Sequence, residues 1–295
     1  MFKSGKELLE KCKSRKIPIW ECALEEEIIN YNQTPEIIFE RSRIILEVMK
    51  KSAIRATREE VKSVSGIIGG DAKKLFEYSQ KGNTLLDSKI LKMMSMGLST
   101  SEVNASMGKI VAAPTAGAAG IIPAVITSVQ QEKGFSDEDL MKTLLTTGAI
   151  GSIIMRNASV SGAVGGCQAE TGSASAMAAA GLVELMGGTP EQSLHAASFA
   201  LVHVMGLVCD PIAGLVEYPC LFRNSSGAVN AYISAEMALA GIESLAPFDE
   251  VVESMKEVGD LMNPNFKETA LGGIASTPTG KRIEKEVFKR VSLGE

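Results

Sequence analysis

Apolar residues recur at the three-to-four-residue spacing of an amphipathic helix in the first part of the chain. The clearest case starts at Thr34, a residue type that suits an N-cap, with Pro35 in the first helical turn and the run IIFERSRIILEVMKK after it. A further helix is predicted in AKKLFEYSQKG, after a Gly-Gly-Asp break and ending on Gly82. These helices keep a polar face for solvent, so we predict an N-terminal helical extension over residues 1–65.

The pattern changes beyond about residue 88, where the helical segments carry fewer charges and are separated by Gly, Pro, Ser and Asn. Ser136 and the pair Thr189-Pro190 are predicted helix starts. The segment SASAMAAAGLVELM is apolar on nearly every side, which is typical of a central helix. The predicted helices are 88–110, 121–132, 137–155, 172–187, 190–206, 228–243 and 249–262. The sequence therefore predicts a mainly α fold, with a compact all-α domain over residues 66–295 and Gly/Pro-rich loops between its helices.

Composition supports this fold class and limits the partners. The 295 residues include 28 glycines but only 5% aromatics, whereas the strands of a β-sandwich favour aromatic and β-branched side chains. The net charge of −5 disfavours a nucleic-acid partner held by electrostatics, and a small ligand or another protein fits better. The charged N-terminus has no apolar core of a secretory signal, and five cysteines in such a chain indicate reduced thiols in the cytoplasm.

One uncharged stretch, residues 111–129, is long enough to span a membrane. Pro114, Pro123 and three glycines interrupt it, and these residues favour a buried loop followed by a helix. We therefore predict no contact with a membrane.

Three cysteines in the second half carry the strongest chemical signal. Cys167, Cys209 and Cys220 lie in GAVGGCQAETGSA, GLVCDPIAGLVEY and YPCLFRN, where Gly and Pro indicate helix ends with free backbone N–H groups. The trio contains no CxxC, which disfavours a structural zinc site and a ferredoxin-type cluster. Three thiolates without a fourth fit a cluster with one open iron. Cys12 and Cys22 are predicted to be small core residues.

Two further stretches offer groups that could bind an anion. The run MGKIVAAPTAGAAGIIP contains a Gly-rich turn before a helix, where free N–H groups at Gly117 and the hydroxyl of Thr115 could hold a carboxylate; a tight turn for helix packing is an equal alternative. Arg223 and Asn224, beside Cys220, could bind a carboxylate through the guanidinium fork.

The general base is left open among His203, Glu170 and Lys109. His195 lies eight residues before His203, and a histidine that only packs within a helix is the more frequent case for both. Lys109 could instead form a Schiff base with pyridoxal phosphate, but that hypothesis leaves the cysteines unexplained.

Taken together, the runs SEVNASMGKIVAAPTAGAAGIIPA, GAVGGCQAETGSASAMAAAGLVELMGG and GLVCDPIAGLVEYPCLFRN resemble the α chain of the iron–sulfur-dependent L-serine dehydratase family. The resemblance covers essentially the whole chain, including GGDAKKL. It implies a mainly helical fold, a [4Fe–4S] cluster on Cys167, Cys209 and Cys220 in the domain over 66–295, and conversion of L-serine to pyruvate and ammonia. Single-chain members carry an additional domain with a Ser-His-Thr motif that is absent here, which implies a separate β subunit.

Two alternatives stay open at this stage. A related cluster lyase could act on cysteine or another small β-substituted amino acid, since nothing in the sequence fixes the substrate side chain. A non-catalytic helical subunit could use the cysteines to hold a structural metal.

Overall fold

The computed structural model describes residues 2–293 and consists of helices joined by short loops. Within that part the chain forms thirteen α-helices and no β-strand, so the predicted mainly α fold is confirmed. The helices are α1 (Gly5–Arg15), α2 (Ile19–Tyr31), α3 (Pro35–Arg58), α4 (Asp71–Ser79), α5 (Ser88–Ala105), α6 (Ile121–Lys133), α7 (Asp137–Asn157), α8 (Gly162–Gly165), α9 (Ser173–Leu185), α10 (Pro190–Val202), α11 (Cys220–Leu239), α12 (Phe248–Leu261) and α13 (Pro278–Leu293).

Helix α9 lies at the centre, as its apolar sequence predicts. Every residue from Ser173 to Val183 is buried, and helices α6, α7, α10 and α11 pack around it. Small side chains allow this close approach: a Cβ added at Gly181 would lie 2.9 Å from the Cγ2 of Thr143 on α7. The central helix is thereby enclosed by protein on all sides and provides a rigid base for the loop that precedes it.

The N-terminal helices share the core of the later ones. Leu8 on α1, Ile19 on α2 and Met49 on α3 belong to the same buried cluster as residues of α6, α7 and α9. The Glu184 carboxylate on α9 accepts hydrogen bonds from the backbone N–H groups of Ile19 (2.6 Å) and Trp20 (3.1 Å). The first 65 residues are thus packed against the rest, and the domain boundary at residue 65 stays a prediction.

Several predicted helix bounds agree with the structure and two differ clearly. Ser136 and Thr189 both cap their helices in a capping box, whereas the Thr34 side chain makes no capping hydrogen bond. Helix α5 ends five residues before the predicted position 110. Helix α11 starts at Cys220 and not at 228.

The uncharged stretch 111–129 becomes a loop followed by the buried helix α6, as predicted. Between residues 2 and 293, no helix combines the length and the apolar character that crossing a membrane requires.

Candidate active site

Three separate segments bring Cys167, Cys209 and Cys220 into one buried region. Their exposed fractions are 2%, 1% and 5%, and none is in a disulfide. Cys167 follows the short helix α8, Cys209 lies in an extended segment, and Cys220 is the first residue of α11. A negative charge on Cys167 or Cys220 would raise the pKa of Cys209, so the three thiols lie close enough to interact electrostatically.

A π-helical turn over Gln168–Gly172 connects Cys167 to the central helix α9. Such turns are rare and occur often at functional sites. The Gln168 amide holds it in place: Nε2 donates to the carbonyls of Gly165 (3.0 Å) and Met255 (2.9 Å), and Oε1 accepts from the N–H of Gly206 (2.8 Å). The irregular turn directs Glu170 toward the thiols.

The extended segment at Cys209 pairs with residues 266–268 near the C-terminus. The Cys209 N–H donates to the Phe266 carbonyl, and the Glu268 N–H donates to the Cys209 carbonyl, both at 2.8 Å. The predicted helix-end position is therefore wrong for Cys209, because an isolated parallel bridge to Lys267 holds it.

Glu170 lies between the thiols and the Gly-rich turn. Its side chain is 8% exposed; Oε1 accepts a hydrogen bond from Thr115 Oγ1 at 2.8 Å, and Oε2 lies 4.0 Å from Cys209 Sγ. Burial raises the pKa of Glu170. A Cβ added at Gly162 would come within 2.8 Å of both Glu170 Oε2 and Cys209 Sγ, so only glycine fits beside this pair.

Asn224 fixes the Gly-rich turn to the helix that starts at Cys220. Its Nδ2 donates to the carbonyls of Gly117 (2.7 Å) and Cys220 (2.9 Å), and its Oδ1 accepts from the Gly120 N–H (2.8 Å). Because both amide hydrogens and the oxygen are in use, Asn224 supports the turn. Gly117 packs against the Glu170 carboxylate: a Cβ added at Gly117 would lie 3.0–3.1 Å from the two carboxylate oxygens.

The Arg223 side chain, 13% exposed, lies beside the thiols and is only partly paired. Its Nη2 donates to Asp210 Oδ1 at 2.7 Å, and Asp210 Oδ2 in turn accepts from the Ile274 N–H at 2.8 Å. Nη1 is buried without a hydrogen-bond partner within the described chain. The guanidinium charge acts on Cys167, Cys220 and Glu170, and a side-chain hydrogen bond from Arg223 also lowers the pKa of Cys167, against the larger effect of burial. One cationic donor is thus left free next to the thiols.

The other predicted bases lie elsewhere. His203 Nδ1 is 2.6 Å from Asn230 Oδ1 on α11, ten residues or roughly 15 Å along the helix from Cys220. Lys109 is exposed and makes no hydrogen bond or ion pair within the described residues. His195 Nδ1 accepts from the Ser244 N–H at 3.1 Å, which is a packing role. Of the three candidate bases, the fold brings only Glu170 to the thiols.

The three thiols suit soft metal chemistry. Burial raises the pKa of all three, so each would release a proton on binding metal. Among residues 2–293, no three or more His, Cys, Asp or Glu side chains are grouped to hold a single metal ion. Cysteine thiolates are ligands of soft metals and of iron–sulfur clusters.

Sequence reasoning missed three residues of this region: Gln168, Asp210 and Glu268. The first two adjoin predicted cluster cysteines, and that adjacency is a usable signal. No such signal points to Glu268, because it lies 48 residues beyond Cys220 in a segment without a regular pattern.

Comparison with known proteins agrees with this geometry. The model of the family described as "Serine dehydratase alpha chain" matches residues 14–275. The "L-serine dehydratase, alpha chain" of Peptoniphilus asaccharolyticus is 49% identical over 98% of this chain and 99% of its own length. The "Probable L-serine dehydratase, alpha chain" of Bacillus subtilis is 47% identical over 98% of this chain and 96% of its own.

The longer "L-serine dehydratase 2" of Escherichia coli matches over a smaller share. It is 47% identical over 60% of this chain, a region that makes up 40% of the Escherichia coli protein. The near-full-length matches to separate alpha chains and the match of the family model lead to one conclusion: this chain belongs to the serine dehydratase alpha chain family.

Proposed function

We propose that this chain is the α subunit of an L-serine dehydratase, a lyase that converts L-serine to pyruvate and ammonia. The observation that carries the proposal is the meeting of three buried free thiols with Glu170, Thr115 and a partly unpaired Arg223. Full-length similarity to alpha chains named for this activity supports the same conclusion.

Cys167, Cys209 and Cys220 are the proposed ligands of a [4Fe–4S] cluster. Cysteine thiolates hold such clusters, and three of them leave one iron open for substrate. When bound, the cluster supplies a Lewis-acidic iron that stabilises the hydroxide lost from the substrate. Reduced thiols and a cluster of this type fit a reducing compartment, so we assign the protein to the cytoplasm.

Gly117 and Arg223 are the proposed contacts of the substrate carboxylate, whereas Thr115, also a predicted contact, already donates its only hydroxyl proton to Glu170 Oε1. Arg223 Nη1 is a buried donor without a partner, and a guanidinium recognises carboxylates well. Thr115 and Gly117 lie on the turn that faces Glu170. Asn224 contributes by holding that turn in place through Gly117 and Gly120.

Glu170 is the proposed base that removes the proton from the substrate Cα. The Thr115 hydroxyl fixes Oε1 and leaves Oε2 on the thiol side. Burial raises the pKa of this carboxyl, which makes the carboxylate a stronger base. Loss of the Cα proton and of hydroxide yields aminoacrylate, which tautomerises to an imine and takes up water to give pyruvate and ammonia.

A separate β subunit is the proposed protein partner. The named relatives that match over nearly their whole length are alpha chains, whereas the Escherichia coli protein is much longer than the matched region. Activity is therefore expected from the two subunits together.

The test is anaerobic purification followed by analysis of iron, sulfide and serine turnover. We expect a brown protein with about four iron and four sulfide per chain and pyruvate release that is highest with the β subunit present. A colourless protein after anaerobic reconstitution, or one tightly bound zinc without sulfide, would refute the proposal.

A further inference from the structure

The segment from Asn263 to Ser276 forms one wall of the thiol region. Besides the two hydrogen bonds that join Phe266 and Glu268 to Cys209, the Ile274 N–H binds Asp210. Gly273 packs so tightly on Asp210 that an added Cβ would lie 2.3 Å from Oδ2. Two contacts at separate points thus fix this wall against Cys209 and Asp210.

The backbone of this wall is strained where it faces the thiols. Glu268 (φ 62°) and Ala270 (φ 55°) adopt the left-handed conformation without being glycine or asparagine, and Ala213 (φ 56°), four residues after Cys209, does the same. Strain of this kind persists only where the surrounding structure enforces it, and it is frequent at functional sites. The conformation at Glu268 is therefore a reason to ask what its side chain does.

The Glu268 carboxylate is half-buried and has no hydrogen bond or ion pair with any described residue. Its backbone N–H donates to the Cys209 carbonyl at 2.8 Å, and its charge acts on Glu170, Cys209 and Cys220, so Glu268 lies near the thiols and the candidate base. The other two acidic groups there are already engaged: Thr115 donates to Glu170, and Arg223 and Ile274 donate to Asp210. Glu268 is the acidic group left for a ligand.

The region therefore offers one partly paired cation and one anion without a partner among the described residues. Arg223 Nη1 is a buried cationic donor without a partner, and Glu268 is an anionic acceptor without one. Arg223 follows Cys220 by three residues on α11, and Glu268 is hydrogen-bonded through its backbone to Cys209. Both charges act on Cys220 and on Glu170, so both groups lie around the thiols. An α-amino acid carries a carboxylate and an ammonium on one carbon, and it complements this pair.

We propose that the Glu268 carboxylate binds the α-ammonium group of the substrate amino acid, opposite the carboxylate contact at Arg223. The inference rests on the proposed function and extends it, because it assigns the group that distinguishes an amino acid from a simple hydroxy acid. The short wall segment then acts as a specificity element: its left-handed backbone aims one carboxylate at the thiol region.

The test compares L-serine with 3-hydroxypropanoate, which has the same carboxylate and hydroxyl but no ammonium. Binding of 3-hydroxypropanoate is measured by calorimetry on the cluster-loaded enzyme, wild type and Glu268→Gln. The affinity for L-serine, which the enzyme converts, is followed through its KM in steady-state turnover. Loss of a charge-assisted hydrogen bond should weaken L-serine binding and raise its KM about 10- to 150-fold. Binding of 3-hydroxypropanoate should stay within about twofold, and so should kcat, since the base is retained.

Two further variants make the result specific. Glu257→Gln removes an equally charged, exposed side chain from α12 and should change neither affinity. Glu268→Gly removes the carboxylate while relieving the left-handed strain, so it should reproduce the loss of L-serine affinity even if Glu268→Gln were unstable.

Equal weakening of both ligands, or unchanged L-serine affinity in Glu268→Gln and Glu268→Gly, would overturn the inference. A drop in kcat with unchanged KM would also overturn it, by indicating proton transfer in place of ammonium binding. These outcomes leave wild-type serine turnover intact, whereas a wild-type enzyme that neither binds nor converts L-serine would refute the proposed function itself.

Discussion

The two groups of cysteines in this chain are equally buried and yet lie in very different surroundings. Cys12 and Cys22 are 2% and 0% exposed, come from the regular helices α1 and α2, and have their sulfurs 3.4 Å apart in the main apolar core. The trio at 167, 209 and 220 lies instead among a π-helical turn, an isolated bridge and left-handed residues.

The two groups of cysteines also differ in their polar neighbours. The trio is lined by Glu170, Glu268 and the Arg223–Asp210 pair, with one guanidinium nitrogen left without a partner. Near the N-terminal pair, both oxygens of the half-buried Glu184 carboxylate accept hydrogen bonds, from Ile19, Trp20 and Thr146. Burial alone thus does not distinguish the two groups of thiols, whereas the irregular backbone and the unpaired charge around the trio do.

The largest difference between the two groups of cysteines is expected when one sulfur is removed from each. Cys209→Ser should lose the brown colour and lower serine turnover by at least about 100-fold, since loss of a ligand should cost no less than loss of a supporting contact. Cys12→Ser should keep both properties. Iron and sulfide analysis with a pyruvate assay measures the two effects. Full cluster content in Cys209→Ser, or loss of it in Cys12→Ser, would contradict the assignment.

The next largest effect is expected at the buried carboxylate beside the trio. Glu170→Gln keeps the shape and an acceptor for Thr115 but cannot take a proton, so kcat should fall about 10²- to 10⁴-fold. The absorbance of the cluster should be unchanged, because no ligand is altered. An unchanged kcat would remove Glu170 as the base and return attention to His203, Lys109 or a β-subunit residue.

The sequence predicted the regular part of this contrast better than the irregular part. Capping residues Ser136 and Thr189 and the apolar run of α9 are local signals, and the helices appear where those signals lie. Helix α11 was predicted to start eight residues too late, because Asn224, two serines and Gly227 are poor helix formers. Tertiary contacts stabilise this first part of α11: Gly227 packs against Ile121, and a Cβ added at Gly227 would lie 2.5 Å from Ile121 Cδ1.

The candidate site was predicted where its residues are neighbours in sequence and missed where the fold alone joins them. Cys220, Arg223 and Asn224 lie on one helical turn, and a motif around a cysteine is visible in the chain. Glu268 reaches the region through backbone bonds to Cys209, 59 residues earlier, and a π-helical turn at Gln168 has no reliable sequence pattern. Long-range pairing and enforced strain are properties of the folded chain.

A smaller effect is expected from the ion pair that orients Arg223. Asp210→Asn removes the negative charge that Nη2 contacts and leaves one carbonyl oxygen for either Arg223 or the Ile274 N–H. Supporting contacts of this kind typically cost 10- to 100-fold, so kcat/KM for L-serine should fall by about that factor, mainly through KM. Steady-state kinetics at full cluster content measures it. A normal KM would show that Arg223 needs no partner to bind the carboxylate.

The smallest effect on activity is expected at Glu184, the half-buried carboxylate near the N-terminal pair of thiols. Its Oε2 accepts from the Ile19 N–H, and its Oε1 accepts from the Trp20 N–H and from Thr146 Oγ1 at 2.7 Å. Glu184→Gln puts an amide donor against at least one of these donors, so the free energy of unfolding should fall by about 1–3 kcal/mol. Turnover per folded molecule should be unchanged, in contrast to Glu170→Gln. Denaturant unfolding measures the loss of stability, and the pyruvate assay measures kcat. A kcat loss in Glu184→Gln that matches the loss in Glu170→Gln would show that the position of Glu170 beside the thiols is not the cause of its effect on kcat.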